Sequence, residues 1–375
     1  MLKHTFFTEV LLSNPYRLRL IVDYVQIYLE RKKQQLDEMR ETILKMLRDA
    51  DGYVSGQKLC EALGVSRTAV WKAIGQLREE GYEIEAVTNK GYRLKDPSEA
   101  DILNQEELEE AFQTRWAGKP LLYSRQTGST NDDIMKLADR GFGQGTLAVA
   151  SEQTKGKGRR GRTWISPPEG NVYMSILLRP KMSPSVAPQS TLVMALATCE
   201  AILDLGVPED VRVGIKWPND VVLSKAEGPY KKCCGILTEM RLEETEIRDV
   251  TIGIGLNVNE ASFPAEIAGT ATSLKLTFGR TISRARLVAL VWKHFEEEYD
   301  VFEKTQDLSG LRPAYEAHLV NTGRAVRVLD PKGEYTGLAK GITEHGKLIV
   351  MPDGADREVH VANGEISVRG VMGYV

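Results

Sequence analysis

Residues 155–162 read KGKGRRGR, and TWISPPEGN follows at once. Three glycines among five cationic side chains make a poor helix, because glycine loses the most conformational freedom on ordering. Pro167 and Pro168 close off a helix immediately downstream. From Gly156 to Thr163 the pattern imitates the phosphate loop GxxxxGK[ST], with Arg162 in the lysine position. A phosphate loop must open a helix, so the imitation fails on context. Three readings remain: a solvated basic loop, a nucleic-acid patch, or a backbone cradle for an anion. Gly156, Gly158 and Gly161 favour the cradle, since glycine is best used where backbone approaches a ligand or takes a positive φ. Backbone N–H groups and Lys or Arg side chains are then the donors.

The rest of the chain supplies no global reason for that charge. Its 49 Lys and Arg face 52 Asp and Glu, a formal net charge of −3, so there is no global electrostatic case for a nucleic-acid coat protein. Any DNA contact must come from a local patch. Cys60, Cys199, Cys233 and Cys234 show neither CxxC spacing nor companion histidines. Neither a zinc site nor a disulfide framework is supported, and a reducing compartment is expected. No apolar run reaches the roughly 18 residues that span a bilayer. Asp23 and flanking arginines interrupt the only apolar stretch near the N-terminus, so no signal-peptide layout is present. A cytoplasmic protein without a membrane partner is expected, with two or three domains for 375 residues.

Residues 1–38 form an N-terminal extension that is either a non-native start or one amphipathic helix, with Leu18, Ile21, Val25 and Leu29 at helical spacing. Over 39–97, RETILKMLRDA, SGQKLCEALG and SRTAVWKAIGQLREEG predict three helices. Ser66 is the expected N-cap of the third, and Val70, Ile74 and Leu77 its buried stripe. YEIEAV, TNKG and YRL then predict a hairpin. That order is a winged helix-turn-helix. Ser66, Arg67, Thr68, Lys72 and Arg78 are candidates for the major groove, and Lys90 and Arg93 for phosphates from the wing. Ten Lys and Arg against nine Asp and Glu over 39–97 make the segment barely basic, so the fold must cluster the charge. Small winged helices also dock proteins.

Over 98–320 strands and helices mix. TLAVASE, NVYMSILL, CGILTEM and VTIGIGLNVN predict strands, while APQSTLVMALATCEAILDL and SRARLVALVWKHFEEEYDVF predict helices. Adjacent strands with helices around them indicate an α+β mixed sheet. Over 321–375, short strands divided by Gly and Asp/Pro turns predict a small β-barrel. The whole is an α+β multidomain chain.

Three further segments sharpen the reading of the basic loop. KWPND (216–220) sets a Trp-Pro corner before an amide and a carboxylate. TGSTNDD (127–133) brings hydroxyls and an amide to a helix N-terminus, a polar cradle. Lys232 precedes the small-residue strand start CCGILTE. Among five histidines no Ser–His–Asp or Cys–His set is evident, and no paired carboxylates stand out. The residues bind charge rather than supply a nucleophile.

These four segments, in this order, resemble the bifunctional biotin–protein ligase/biotin operon repressor family, the biotin–[acetyl-CoA-carboxylase] ligases. The resemblance covers residues 39–375. It implies an N-terminal winged helix, a central ligase domain and an SH3-like C-terminal barrel. It also implies the activity: biotin and ATP form biotinyl-5′-AMP and pyrophosphate, and biotin then passes to a lysine of biotin carboxyl carrier protein. Biotin's carboxylate is ionised at neutral pH, so the first step needs no general base. Two anions must be brought together instead, which fixed cations, backbone N–H groups and substrate-associated Mg²⁺ achieve. No resident metal is implied.

Carried onto this chain, the resemblance assigns biotin to Ser129, Thr130, Asn131, Gln153, Lys157, Gly158, Arg159 and Lys232. It assigns ATP and the adenylate to Gly156, Lys157, Arg159, Arg162, Trp164, Asn219, Asp220 and Asn257. Arg159, Lys232 and Asp220 are the implied catalytic residues. Many members have arginine where this chain has Lys157; lysine is a point charge without a bidentate fork, which bears on adenylate retention rather than on the chemistry. Operator DNA is the implied second partner, with adenylate promoting a homodimer that sets two winged helices at half-site spacing. Alternatives stay open: a lipoate–protein ligase, a monofunctional biotin ligase with an idle winged helix, and a non-catalytic repressor that senses a small acid.

Overall fold

A computed structural model describes residues 36, 38–95, 101–168, 170–331, 333–362, 366–371 and 373–375. The helix expected over 18–29, nearly all of the 1–38 extension, and the boundary expected at 97–98 lie outside the described residues. The chain divides into two compact units, 1–100 and 101–375.

In the first unit, α1 (38–48) is followed by α2 (Gly56–Leu63) and α3 (Arg67–Glu79). Ser55 accepts from Lys58 N at 3.1 Å and Ser66 from Ala69 N at 3.3 Å, satisfying donors at both helix starts. Gly64 ends α2 with φ +64, a conformation that favours glycine. Val70, Ala73, Ile74 and Leu77 of α3 are buried, as are Ile43, Leu44 and Leu47 of α1 and Leu59 of α2. The hairpin β1 (Ile84–Val87) and β2 (Gly91–Leu94) is antiparallel. Val54 bridges to Tyr92 with two 2.8 Å backbone bonds, and Gly91 (φ +110) leaves room for that approach, since a Cβ there would strike the Val54 carbonyl. This is the expected winged helix-turn-helix.

The second unit runs α4 (Gln105–Ala111), β3 (Leu121–Thr127), α5 (Thr130–Asp139), β4 (Leu147–Gln153), β5 (Val172–Leu178), α6 (Ser190–Leu203), β6 (Val211–Lys216), β7 (Asp220–Lys225), β8 (Lys231–Glu243) and β9 (Glu246–Leu256). Four helices follow: α7 (Ala265–Ala268), α8 (Leu274–Phe278), α9 (Arg284–Thr305) and α10 (Arg312–His318). Strands β3 to β9 form one sheet in the order β3-β4-β5-β9-β8-β7-β6, parallel only between β3 and β4. It is the expected mixed sheet.

Side-chain alternation separates its two faces. Val172, Met174 and Ile176 of β5, with Ile252, Ile254 and Leu256 of β9, share one core with α6 and α9. Leu177 faces the other way, in a small cluster with Ile134 and Ala138 of α5. On that second face β9 carries Gly253 and Gly255, and Gly235 of β8 pairs with Gly255. The sheet is therefore low where α5 does not cover it.

The C-terminal strands are β10 (Ala325–Leu329), β11 (Tyr335–Ile342), β12 (Leu348–Pro352), β13 (Val359–Val361) and β14 (Ser367–Gly370). They make a five-stranded antiparallel sheet in the order β13-β12-β11-β10-β14, the short-stranded all-β unit that the sequence predicted. The buried Trp217 ties this sheet to the larger one: its N–H donates to Asn321 Oδ1 at 2.8 Å and its Nε1–H to the Gly346 carbonyl at 2.9 Å. Among the described residues no helix is long and apolar enough to cross a membrane.

Candidate functional site

The basic loop folds back on itself. Gly158 N donates to the Arg162 carbonyl at 2.7 Å, and Trp164 N to the Gly156 carbonyl at 3.0 Å. Arg160 (φ +60) and Gly161 (φ +70) make the turn. A Cβ on Gly156 would collide with the Trp164 carbonyl and come within 2.6 Å of Ser166 Oγ. Gly158 is tight as well, at 3.2 Å from the Arg162 carbonyl. The glycines thus serve mainly to close the loop. The N–H of Gly158, expected to face an anion, is engaged within the loop by the Arg162 carbonyl.

Two pockets lie on the glycine-lined face of the larger sheet. Ser129, Thr130, Asn131, Gln153 and Lys157 line the smaller, and Arg162, Asp220 and Asn257 line the larger. Gly158, Arg159, Trp164, Asn219 and Lys232 border both. Gly156 lines neither and lies beneath Trp164 and Ser166. All the other residues expected to hold biotin or nucleotide are brought to these two pockets.

The smaller pocket is a prearranged polar network. Gln153 Oε1 accepts from Thr130 N at 2.9 Å, and its Nε2 donates to Ser166 Oγ at 3.1 Å. Ser175 Oγ lies 2.7 Å from Thr130 Oγ1 and 2.6 Å from Asn131 Oδ1. Asn131 Nδ2 donates to Glu239 at 2.6 Å. Lys157 pairs with Asp132, which with Glu239 raises its pKa against the effect of partial burial. Ser175 and Glu239 escaped the sequence reading, because each sits singly on a strand whose pattern only says buried or edge.

At the shared wall, Arg159 donates to Asn219 Oδ1 at 2.8 Å, and Asn219 Nδ2 to the Ile236 carbonyl at 3.0 Å. Burial lowers the Arg159 pKa, opposed by Asp220. Lys232 Nζ is 2.5 Å from Asp220 Oδ1 and 5.1 Å from the Trp164 ring. Tyr374 donates to Asp220 Oδ2 at 2.5 Å, and Lys216 Nζ lies 3.5 Å from the Tyr374 ring centroid. Burial alone would push Asp220 up, but Lys232, Lys216 and the bonds from Lys232 and Tyr374 hold it below the usual carboxylate range. Burial pushes Lys216 down to about 8. Asn257 donates to the Thr272 carbonyl at 3.1 Å at the far wall. Tyr374 carries no local sequence signal, and Lys216 none beyond its place at the head of KWPND.

Trp164 lies flat against the glycine strip. A Cβ on Gly235 would come within 2.8 Å of its ring, one on Gly255 would strike the indole, and one on Gly253 would strike the Asn131 amide. The alternate glycines in GIGLN were a readable signal for close approach. Gly255→Ala is expected to lose about 1–3 kcal/mol by overpacking the indole. Urea unfolding followed by tryptophan fluorescence measures it; wild-type stability would mean the ring is not held there.

In the winged helix, Ser66 caps α3, and Arg67, Thr68 and Lys72 are exposed. Arg67 donates to Gln57 at 3.0 Å. Trp71, 66% exposed on the same helix, was not anticipated. Arg78 is drawn away from the groove role expected of it: its Nε donates to the Ile84 carbonyl at 2.9 Å, pinning the helix to the hairpin. On the wing, Arg93 pairs with Glu85 at 2.8 Å and, like Lys90, stacks on Tyr53.

Residues 123–257 match the biotin/lipoate A/B protein ligase family, 39–93 an HTH domain and 322–369 the biotin protein ligase C-terminal domain. Together these define a protein ligase of the biotin/lipoate class joined to a helix-turn-helix unit. The chain is 36% identical over 332 residues to the bifunctional ligase/repressor BirA of Bacillus spizizenii, covering 88% of this chain and 98% of the relative. It is 31% identical to a biotin–[acetyl-CoA-carboxylase] ligase of Paracoccus denitrificans, over 60% of this chain and 91% of that one. The biotin protein ligase of Aquifex aeolicus in complex with biotin and ATP superposes with a TM-score of 0.56 at 30% identity, covering 66% of this chain and 98% of that chain. The chain belongs to the bifunctional biotin–protein ligase/biotin operon repressor family.

Proposed function

We propose that this protein activates biotin with ATP as biotinyl-5′-AMP, transfers it to a lysine of biotin carboxyl carrier protein, and represses biotin genes when adenylate-bound. It is a biotin–[acetyl-CoA-carboxylase] ligase that also acts as a repressor. The observation that carries the mechanism is the wall shared by the two pockets. Arg159 and Lys232 line both pockets, which supports a role for them between the two substrates.

In this reading biotin's ureido ring lies among Ser129, Thr130, Asn131 and Gln153, whose hydroxyls and amides match its donors and acceptor. Lys157 and Gly158 line its approach to the wall. The nucleotide occupies the larger pocket, with Trp164 and Asn257 toward the base and Arg162, Asn219 and Asp220 around the phosphates. A carboxylate oxygen attacks the α-phosphorus, the bond to the β-phosphate oxygen breaks, and pyrophosphate leaves. Lys232 and Arg159 reduce the repulsion between the two anions and stabilise charge on the α-phosphate. In the second step Asp220, held ionised, orients the incoming lysine, which attacks the biotinyl carbonyl as the neutral amine; the carbonyl C–O bond to phosphate breaks, AMP departs, and the proton lost from nitrogen passes to solvent.

Magnesium enters this scheme with ATP. Asp220 is engaged by Lys232 and Tyr374, and among the described residues no trio of metal-ligating side chains lies in the pockets.

The regulatory half rests on the winged helix. Adenylate promotes a homodimer, and paired α3 helices then engage two operator half-sites from Ser66, Arg67, Thr68 and Lys72, with Lys90 and Arg93 on phosphates. This work takes place in the cytoplasm.

Mixing the protein with ATP and biotin, or with ATP and lipoate, tests the chemistry. Pyrophosphate release and label transfer to a carrier domain are expected with biotin alone; turnover with lipoate instead would move the chain to the lipoate ligases. Fluorescence titration of operator DNA, with and without biotinyl-5′-AMP, tests the coupling. Tighter binding with adenylate is expected, and equal affinity in both would leave a ligase with an idle winged helix.

A further inference from the structure

The sheet face opposite the pockets is covered by α6 and α9, whose buried residues share one core with Val172, Met174 and Ile254. Two pairs of groups four residues apart meet there: Glu200 and Asp204 at the end of α6, His294 and Glu298 on α9. One ligand atom from each of Glu200, His294 and Glu298 lies within 4.8 Å of the others. None of these residues lines either pocket.

Two observations make this more than a patch of acidic side chains. His294 is already oriented: Nε2 is 2.8 Å from Asp204 Oδ2, and Nδ1 is 3.3 Å from Glu200 Oε2. If Nε2–H donates to Asp204, the Nδ1 lone pair is turned toward Glu200. A lone pair facing a carboxylate repels it unless a proton or cation lies between them. The second observation is Glu298. It is buried against the Glu200 carboxyl, and among the described residues no N–H or O–H donor of normal hydrogen-bond geometry meets either of its oxygens. Glu296, equally buried on the same helix, is fully met, accepting from the N–H groups of Arg115, Trp116 and Ala117 at 2.6–2.9 Å. Leaving a buried carboxylate unmet is costly, so its partner should come from outside the chain.

We propose that Glu200, His294 and Glu298 bind a divalent transition cation, Zn²⁺ by preference, which clamps α6 to α9. Imidazole with two carboxylates suits Zn²⁺ better than Mg²⁺ or Ca²⁺, which take all-oxygen shells. Two carboxylates balance the charge of the ion. Asp204 completes a carboxylate–histidine–metal arrangement that fixes the tautomer.

The test is calorimetric titration of Zn²⁺ into the chelator-stripped full-length chain. One site per chain is expected. His294→Ala and Glu298→Gln should weaken it at least about 100-fold, and Asp204→Asn about 10-fold. Glu298→Gln is isosteric and should fold, and its pyrophosphate release with biotin and ATP should match wild type. Co²⁺ should give a visible d–d band in wild type that both ligand variants lose. No binding by wild type, or wild-type affinity in His294→Ala and Glu298→Gln, would overturn the site and leave Glu200 and Glu298 as a proton-sharing carboxyl pair.

Discussion

Lys232→Met is expected to slow biotin-dependent pyrophosphate release by about 10²- to 10³-fold, the loss that follows removal of one preorganised charge-stabilising donor. Lys232 borders both pockets, and its ammonium is 2.5 Å from Asp220. Methionine keeps most of the side-chain volume, so the packing beside Gly235 and Trp164 survives. The structural cost should fall short of the ~3–5 kcal/mol of a fully broken buried pair, because Lys216 and Tyr374 still face Asp220. Two measurements separate chemistry from folding. Stopped-flow pyrophosphate release should collapse, while transfer from supplied biotinyl-5′-AMP to the carrier should fall less. Unchanged pyrophosphate release would remove Lys232 from the first step.

Arg159→Ala should behave differently. Its guanidinium borders both pockets and donates to Asn219 at 2.8 Å. Asn219 keeps its bonds with the Ile236 backbone, so the KWPND corner should hold its shape. A charge-assisted hydrogen bond is worth about 1.5–3 kcal/mol, so adenylate should leave about 10- to 100-fold faster. Rapid filtration of enzyme loaded with labelled biotin and ATP measures that rate. The variant should melt near wild type and, because Arg159 also steadies charge on the α-phosphate, should form adenylate more slowly as well as lose it faster. Retention equal to wild type would leave Arg159 only as a brace for Asn219.

Much of this site was readable in advance because its residues occur in short runs. Ser129 to Asn131 sit on one helix start, Gly156 to Trp164 on one loop, and Asn219 and Asp220 on one corner. A short run is recognisable when spacing alone dictates its local geometry. Arg78 shows where that logic stops. Helical spacing places it off the apolar stripe, yet the Ile84 carbonyl, brought close by the hairpin, binds it. Gly158 is a second case: its composition suggested a donor to a ligand, and the loop uses that donor to close.

The residues that composition and spacing passed over share one property. Ser175, Glu239 and Tyr374 each come from a different strand or tail, and no neighbour in sequence marks them. Tyr374 lies 154 positions from the Asp220 it bonds.

Sequence by itself determined the kinds of element and the chemistry. Helix caps, glycine turns, strand alternation and the cationic loop are local consequences of backbone freedom and side-chain type. Tertiary structure decided which charges are answered and by whom: Asp220 by Lys232 and Tyr374, Glu296 by three backbone donors, Glu298 by no donor among the described residues. The reason is physical. Local conformation depends on a few adjacent residues, whereas the energy of a buried charge depends on every group the fold brings within a few ångströms of it.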